Sequence, residues 1–381
     1  MTISNLKILS IVLLCLQLCG CGGFFNKDNT PKPKPLVAFK ASITPHRLWA
    51  SGTPSSSTSS LKFNPTLYGG TIYTSGDNGV VSAISQNNGE TQWSINTFLP
   101  LTSGPGVGNH IVVLGSRKGE VFALRSKNGA VLWQSHVSGE IIAKPVIHRD
   151  NVIIKTTSGI LYALNVKNGH TIWSFKQTEP SLILNGASTP LLKNNALYVG
   201  YANGNLLKLD AVSGEVLWHR EIATPEGAFS IERMIDIDAD PVSSGYRVIA
   251  VTYQGKIAAL DEENGDIIWS QPLSSYTGMA VHNQQVYVTD ANSHVHAFDI
   301  DLGTTVWEQN ALEARRITAP VVFNQYLVVG DREGYLHFLN QADGSFAARD
   351  FVGDAIIATP IVQNNVLYVE TRRGYLAAYT L

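Results

Sequence analysis

Cysteine is almost missing from this sequence. There are 3 in 381 residues, at positions 15, 19 and 21. Beyond position 21 the chain can hold no disulfide, no thiol nucleophile and no cysteine-ligated zinc. Neither sign of charge prevails: 28 basic and 30 acidic residues give a formal net charge of −2. Such a balance leaves no electrostatic footprint for nucleic acid or for an anionic membrane surface. Long apolar runs are missing too. The most apolar stretch, residues 8–18, has 11 residues and includes Ser10 and Gln17, whereas a membrane-spanning helix needs about 20. The chain contains no Gly-x-Ser-x-Gly, no His-Glu-x-x-His and no P-loop, so the motifs that carry acyl transfer, zinc-dependent hydrolysis and nucleotide binding are absent. Bulk composition, 44% hydrophobic and 15% charged with 33 Gly, is that of a folded globular chain.

What the first residues do contain is an address. Lys7 followed by the apolar stretch 8–18 reads as the start of a secretory signal. The next residues, Leu18-Cys19-Gly20-Cys21, resemble a bacterial lipobox, with Cys19 where Ala or Ser is usual. That resemblance implies a lipid on Cys21, and Gly22 in place of Asp implies an outer-membrane destination. Residues 22–35, GGFFNKDNTPKPKP, favour an extended, solvated tether. At polyproline rise it would reach roughly 40 Å. The expected division is a signal peptide at 1–20, a lipidated cysteine with flexible tether at 21–40, and a folded body at 41–381.

The folded body is built from one repeat. A Gly is followed at +2 by an apolar residue, at +4 by a usually small one and at +5 by a large apolar one. A second Gly stands at +10 and a Trp at +14. The copies begin at Gly79, Gly119, Gly159, Gly204, Gly255, Ser293, Gly334 and Gly374. Their spacings of 40, 40, 45, 51, 38, 41 and 40 residues match a four-stranded propeller blade. Asn88-Gly89, Asn128-Gly129, Asn168-Gly169 and Asn264-Gly265 are expected to turn hairpins with positive φ at both residues. A small +4 residue is expected to let neighbouring sheets approach, and the Trp to fill the space between blades. In the seventh copy Ala348 replaces the Trp, and the eighth is cut off at Leu381. Trp49, in the run Arg47-Leu48-Trp49, is left over near the start. The expected fold is therefore all-β: an eight-bladed β-propeller of four-stranded antiparallel blades, closed by an N-terminal strand within about 41–55 that completes the C-terminal blade.

Two features depart from the repeat. The connector from Trp173 to Pro190 spans 17 residues and that from Trp218 to Pro241 spans 23, against 12 or 13 in four of the others. Long loops on a rigid scaffold are where binding residues concentrate. One carries Leu182-Ile183-Leu184, the other Ile231-Glu232-Arg233-Met234 and Asp236-Ile237-Asp238-Ala239-Asp240. Apolar anchors beside charges suit a protein interface. In extended chain the three aspartates share one side, with Arg233 as the expected neutralising charge. A calcium loop starting at Asp236 would need Gly at its sixth position and Glu at its twelfth, but Pro241 and Arg247 stand there. His294 and His296 alternate on one strand face, yet His296 and His337 share a repeat position that varies between blades. They read as structural, and no metal is expected.

The run Ala-Leu-x-x-x-x-Gly-x-x-x-Trp is similar to the repeat of pyrroloquinoline-quinone enzymes and their non-enzymatic relatives. Joined to signal, lipobox, tether and eight blades, it resembles the BamB family of outer-membrane assembly factors over nearly the whole chain. The resemblance implies a non-enzymatic lipoprotein of the barrel-assembly (BAM) complex, anchored in the outer membrane and facing the periplasm. It implies binding to the periplasmic POTRA domains of BamA and contact with other BAM components, with no cofactor, small-molecule substrate or nucleic acid. The family's Leu-x-Leu-Arg contact stretch maps to Leu182, Leu184 and Asn185, with Asn185 in place of Arg, and its Asp-x-Asp stretch to Asp236 and Asp238. Two other readings of the fold are a quinoprotein-type enzyme and a periplasmic propeller that binds glycans or peptides.

Overall fold

A computed structural model describes residues 30–56, 61, 63–184 and 188–381. Cys21, the signal segment and Asn185 lie outside them. Regular structure among the described residues is all strand, in eight antiparallel sheets of four. Seven of the sheets are consecutive: residues 66–96, 106–136, 146–176, 191–221, 242–273, 278–309 and 321–351, here blades 1 to 7. Blade 8 has three strands from residues 361–380 and takes its fourth, His46–Gly52, from the other end of the chain. Among the described residues no helix is long and apolar enough to cross a membrane.

Burial follows radial position. Second strands such as Ile111–Gly115 are wholly buried and read as continuous apolar runs, because sheets cover both of their faces. Fourth strands such as Thr91–Asn96 alternate between exposed and half-buried residues. The connectors between blades and the turns between second and third strands share one face of the ring, called here the connector face. Tight turns between first and second strands have positive φ at both central residues in blades 1, 2, 6 and 8, as at Asn109 and His110 or Asn364 and Asn365, and at the first alone in blades 3, 4, 5 and 7, as at Asn194. Those between third and fourth strands differ from expectation. Gly89 has φ +74°, but Asn88 stays right-handed and its Oδ1 accepts from Glu90 N–H at 3.3 Å.

That glycine has a packing reason as well. A Cβ on Gly89 would lie 2.5 Å from Trp49 Cε3. The same encounter recurs around the ring: Gly129 against Trp93, Gly169 against Trp133, Gly214 against Trp173, Gly265 against Trp218, Gly303 against Trp269 and Gly344 against Trp307. Each Trp lies flat on the turn of the next blade, and most also donate Nε1–H to a carbonyl there, for example Trp49 to Gln86 O at 3.2 Å and Trp307 to Gln341 O at 2.8 Å. The small +4 residue serves the Trp rather than the spacing of sheets, since it sits directly across from it on the neighbouring strand. Ala83 faces Trp93, Ala297 faces Trp307 and Ala378 faces Trp49.

Ala348 now has an explanation. It would pack on the corresponding turn of blade 8, but the chain termini replace that turn: Thr380 ends one strand where His46 begins the next. With no glycine turn to cover, blade 7 inverts the pair, placing Phe338 across from Ala348. The space beside it is filled by the segment 34–43, part of which the Lys-Pro pattern assigns to a solvated tether. Val37 O accepts from Arg349 at 3.1 Å, Phe39 stacks on Phe346 at 5.3 Å, Ser42 N–H donates to Ala347 O at 2.9 Å, and Ile43 joins the blade 7 core.

Glu370, on blade 8, fits this closure poorly. It is buried, and neither carboxylate oxygen has a hydrogen-bond partner among the described residues. Burial raises its pKa to about 8, and the nearby Thr53 hydroxyl opposes the shift without a well-formed bond. Folded protein thus keeps a proton that unfolded chain releases near the usual carboxylate range. Stability from this group is complete at acid pH and is lost as pH rises toward about 8. Glu370→Gln, isosteric and neutral, is expected to match wild type in urea unfolding at pH 4 and to exceed it by a few kcal/mol, roughly, at pH 9. Parallel pH profiles would show that the carboxylate is ionised or solvated.

Candidate functional site

The two long connectors meet on the connector face beside the ring axis. The sequence of the second dictates which parts go inward. Ile235 and Ile237 are buried against glycines of blade 4: a Cβ on Gly204 would lie 2.6 Å from Ile235 Cδ1, and Ile237 fills the space at Gly200. Backbone bonds from Ile237 N to Tyr201 O at 3.2 Å and from Tyr253 N to Asp236 O at 2.8 Å fix the segment between blades 4 and 5.

Alternation then turns the aspartates toward the first connector. Asp236 is only 1% exposed and accepts from the backbone N–H of Leu184, while Asp240 Oδ1 accepts from Thr189 N–H at 2.7 Å. The side chains are therefore not a row of solvated charges. Burial falls from Asp236 through half-buried Asp238 to exposed Asp240. Arg233, the expected counter-charge, is exposed.

The compensating cation comes from blade 3. Lys155 is buried, donates to Ser188 Oγ at 3.2 Å and to Gly200 O at 2.5 Å, and lies 5.5 Å from the centre of the Tyr201 ring. Its carboxylate neighbours are Glu179, Asp238, Asp240 and Asp236. Burial lowers the Lys155 pKa, and those charges oppose the shift. In return, burial raises Asp236 to about 7, helped by the charge of Asp238, and raises Glu179 to about 7 against the pull of Lys155. Glu179 also accepts from Ala202 N–H at 3.0 Å. One buried ammonium thus holds two connectors and two blades together. Lys155→Met leaves the carbonyl of Gly200 without its donor and the carboxylates without their cation. It is expected to cost about 3 kcal/mol in urea unfolding and to speed amide exchange at Leu184 and Thr189. Unchanged exchange there would mean that Lys155 does not brace the loops.

Above this base the surface is mixed. Leu182 is 44% exposed, Phe229 68% and Ile231 63%. Phe229 is presented by a small turn in which Glu232 Oε2 accepts from Ala228 N–H at 2.8 Å and Phe229 N–H at 3.0 Å. Leu184, Asp238 and Asp240 line the wall of a central cavity of about 530 Å³, together with Tyr253, Tyr276 and Arg316.

Comparison with known proteins decides the family. The profile described as outer membrane protein assembly factor BamB matches residues 77–309 and 291–381. The chain belongs to the BamB family. It is similar to the outer membrane protein assembly factor BamB of Legionella pneumophila, 41% identical over 372 residues that cover 96% of this chain and 97% of that protein. The Pseudomonas aeruginosa BamB is 42% identical over 377 residues, covering 98% and 99%. Among solved structures, BamB from Moraxella catarrhalis superposes with a TM-score of 0.80 at 26% identity, over 90% of this chain and 99% of that one. A quinohemoprotein alcohol dehydrogenase from Comamonas testosteroni reaches a TM-score of 0.72 at 13% identity, over 88% and 76%. This last likeness shows a shared propeller fold and nothing of redox chemistry.

Membership in the BamB family makes the chain an outer membrane protein assembly factor, not an enzyme. Of the residues mapped from the resemblance, the structure brings Leu182, Leu184, Asp236 and Asp238 together on one face, while Asn185 lies outside the described residues. Asp236 needs correction: it is buried as a brace for Leu184, so it cannot present its carboxylate to a partner. Sequence reasoning missed Lys155, Glu179 and Phe229. Lys155 gave a usable signal, because it occupies the strand position held by Ser75 in blade 1 and Thr289 in blade 6, whose hydroxyls bond the following connector at 3.3 and 2.9 Å.

Proposed function

We propose that this BamB-family chain is a lipid-anchored scaffold at the periplasmic side of the outer membrane, where it binds the POTRA domains of BamA and aids insertion of β-barrel proteins. Cys21 carries the lipid after removal of residues 1–20. The following residues act as a tether up to about Pro33, beyond which the chain packs on blade 7. Leu182, Leu184 and Asp238 contact the partner together with Asn185, and Phe229 and Ile231 extend the apolar surface. Asp236 acts through Leu184 as a positioning residue.

The observation that carries this reading is the bonding of both long connectors into one braced surface, with Asp236 and Asp240 joined to Leu184 and Thr189. A preorganised surface loses little freedom on binding. Exposed apolar side chains beside a half-buried carboxylate supply the anchor and the orienting charge. The test is a pulldown of the lipidated protein from detergent-solubilised outer membrane. It is expected to retain a barrel protein bearing periplasmic repeats. Failure to retain one, with cofactor or glycan bound instead, would contradict the scaffold reading.

A further inference from the structure

We propose that blade 6 carries a divalent-metal site, suited to zinc, formed by Asp290, His294 and His296 with Glu308 at its rim. The three donor atoms lie within 4.8 Å of one another. Asp290 Oδ2 is 3.3 Å from His294 Nδ1 and 3.2 Å from His296 Nε2. Tetrahedral zinc, with bonds of about 2.0–2.1 Å to histidine nitrogen, holds its ligand atoms about 3.3 Å apart. Glu308 pairs with His296 across the sheet and brings Oε1 to 3.6 Å from His294 Nδ1. Imidazole and carboxylate together suit zinc among the common divalent ions.

The carboxylate is already aimed. Asp290 Oδ1 accepts from the backbone of Asn292 at 2.9 Å and of His294 at 2.7 Å, which leaves Oδ2 for the histidines. Asp290 and Ser293 line the central cavity, so an ion can enter from solvent.

Blade 7 provides an internal control. The same Asp–His pair recurs there, with His337 Nε2 2.9 Å from Asp331 Oδ2. In blade 7 two arginines complete it: Arg315 Nε lies 2.7 Å from Asp331 Oδ2, and Arg349 Nε lies 3.2 Å from His337 Nδ1. In blade 6 the residue at the Arg349 position is Glu308, and the ion-pair partners of Asp290 among the described residues are His294 and His296. Two carboxylates and two neutral imidazoles sum to −2, a charge that one divalent cation cancels. The strand position that carries a structural pair in blade 7 therefore has, in blade 6, the donors and the charge of a metal site.

The test uses the untagged full chain, treated with chelator and titrated with zinc against a chromophoric competitor. One zinc per chain is expected. His294→Gln should weaken binding at least about tenfold and abolish the visible bands of tetrahedral cobalt, used as a spectroscopic probe. His337→Gln, the blade 7 counterpart, should leave both unchanged. Because His294 is partly exposed, its variant should fold, and its unfolding midpoint without metal verifies that. No saturable binding by wild type, or wild-type affinity in both His294→Gln and Asp290→Asn, overturns the site.

Discussion

Under the proposed scaffold role, Leu184→Ala combined with Asp238→Ala is expected to lower affinity for the isolated POTRA domains of BamA about 100-fold without unfolding the propeller. The size follows from position. Both side chains stand on the wall of the central cavity, half-buried, and neither belongs to a blade core. Truncating an interface anchor at the centre of a patch costs about 2 kcal/mol or more, and two such losses make the stated factor even when they add imperfectly. Leu184 reaches Asp236 through its backbone N–H, a bond that alanine keeps. The brace beneath the surface therefore survives the substitution. Titration calorimetry measures the affinity and urea unfolding the fold. Wild-type affinity in a folded double variant would remove these residues from the contact.

Trp49→Ala is the second large effect. It removes the ring from the turn of blade 1 and its Nε1 bond to Gln86 O. A buried Trp→Ala costs about 3–5 kcal/mol; Trp49 is half-buried, so the lower end, about 3 kcal/mol, is expected, and the loss falls on the contact that closes the ring. Gly89 makes the explanation testable by a cycle. At φ +74° an alanine pays about 1–2 kcal/mol for backbone alone, and in wild type its Cβ would also collide with Trp49 at 2.5 Å. Gly89→Ala is expected to be far more costly with Trp49 present than in the Trp49→Ala background, where the backbone cost alone remains. Additive costs would mean that the two residues are not in contact. The same cycle at Trp307 and Gly344 should give a coupling of the same sign, since their geometry is repeated.

Much of the fold was legible because the sequence states it eight times. The recurring Gly and Trp set the blade and its period, and an orphan Trp49 pointed to the closing strand, now seen as His46–Gly52. Ala348 was legible as an exception but not as a consequence, because its cause is the missing turn in blade 8. The tether lost its last residues to blade 7 for a similar reason. Lys-Pro alternation describes a chain without partners, whereas Arg349 offers Val37 one. Loop length singled out the two connectors that the structure bonds to each other. Its electrostatics were out of reach, since an Asp triplet reads as solvated until Lys155 of another blade is placed beneath it. His296 and His337 were visible at a shared repeat position, but only coordinates set their different companions side by side.

The central claim is that the two long connectors form the partner-binding face. A photo-cross-linking residue in place of Leu182, in the full chain in outer membranes, tests it most directly. Leu302, 69% exposed on a hairpin turn of the opposite face, is the matched control. The account predicts a cross-link from position 182 to the periplasmic domains of BamA and none from position 302. Cross-linking from 302 with 182 silent would place the partner on the other face and contradict it.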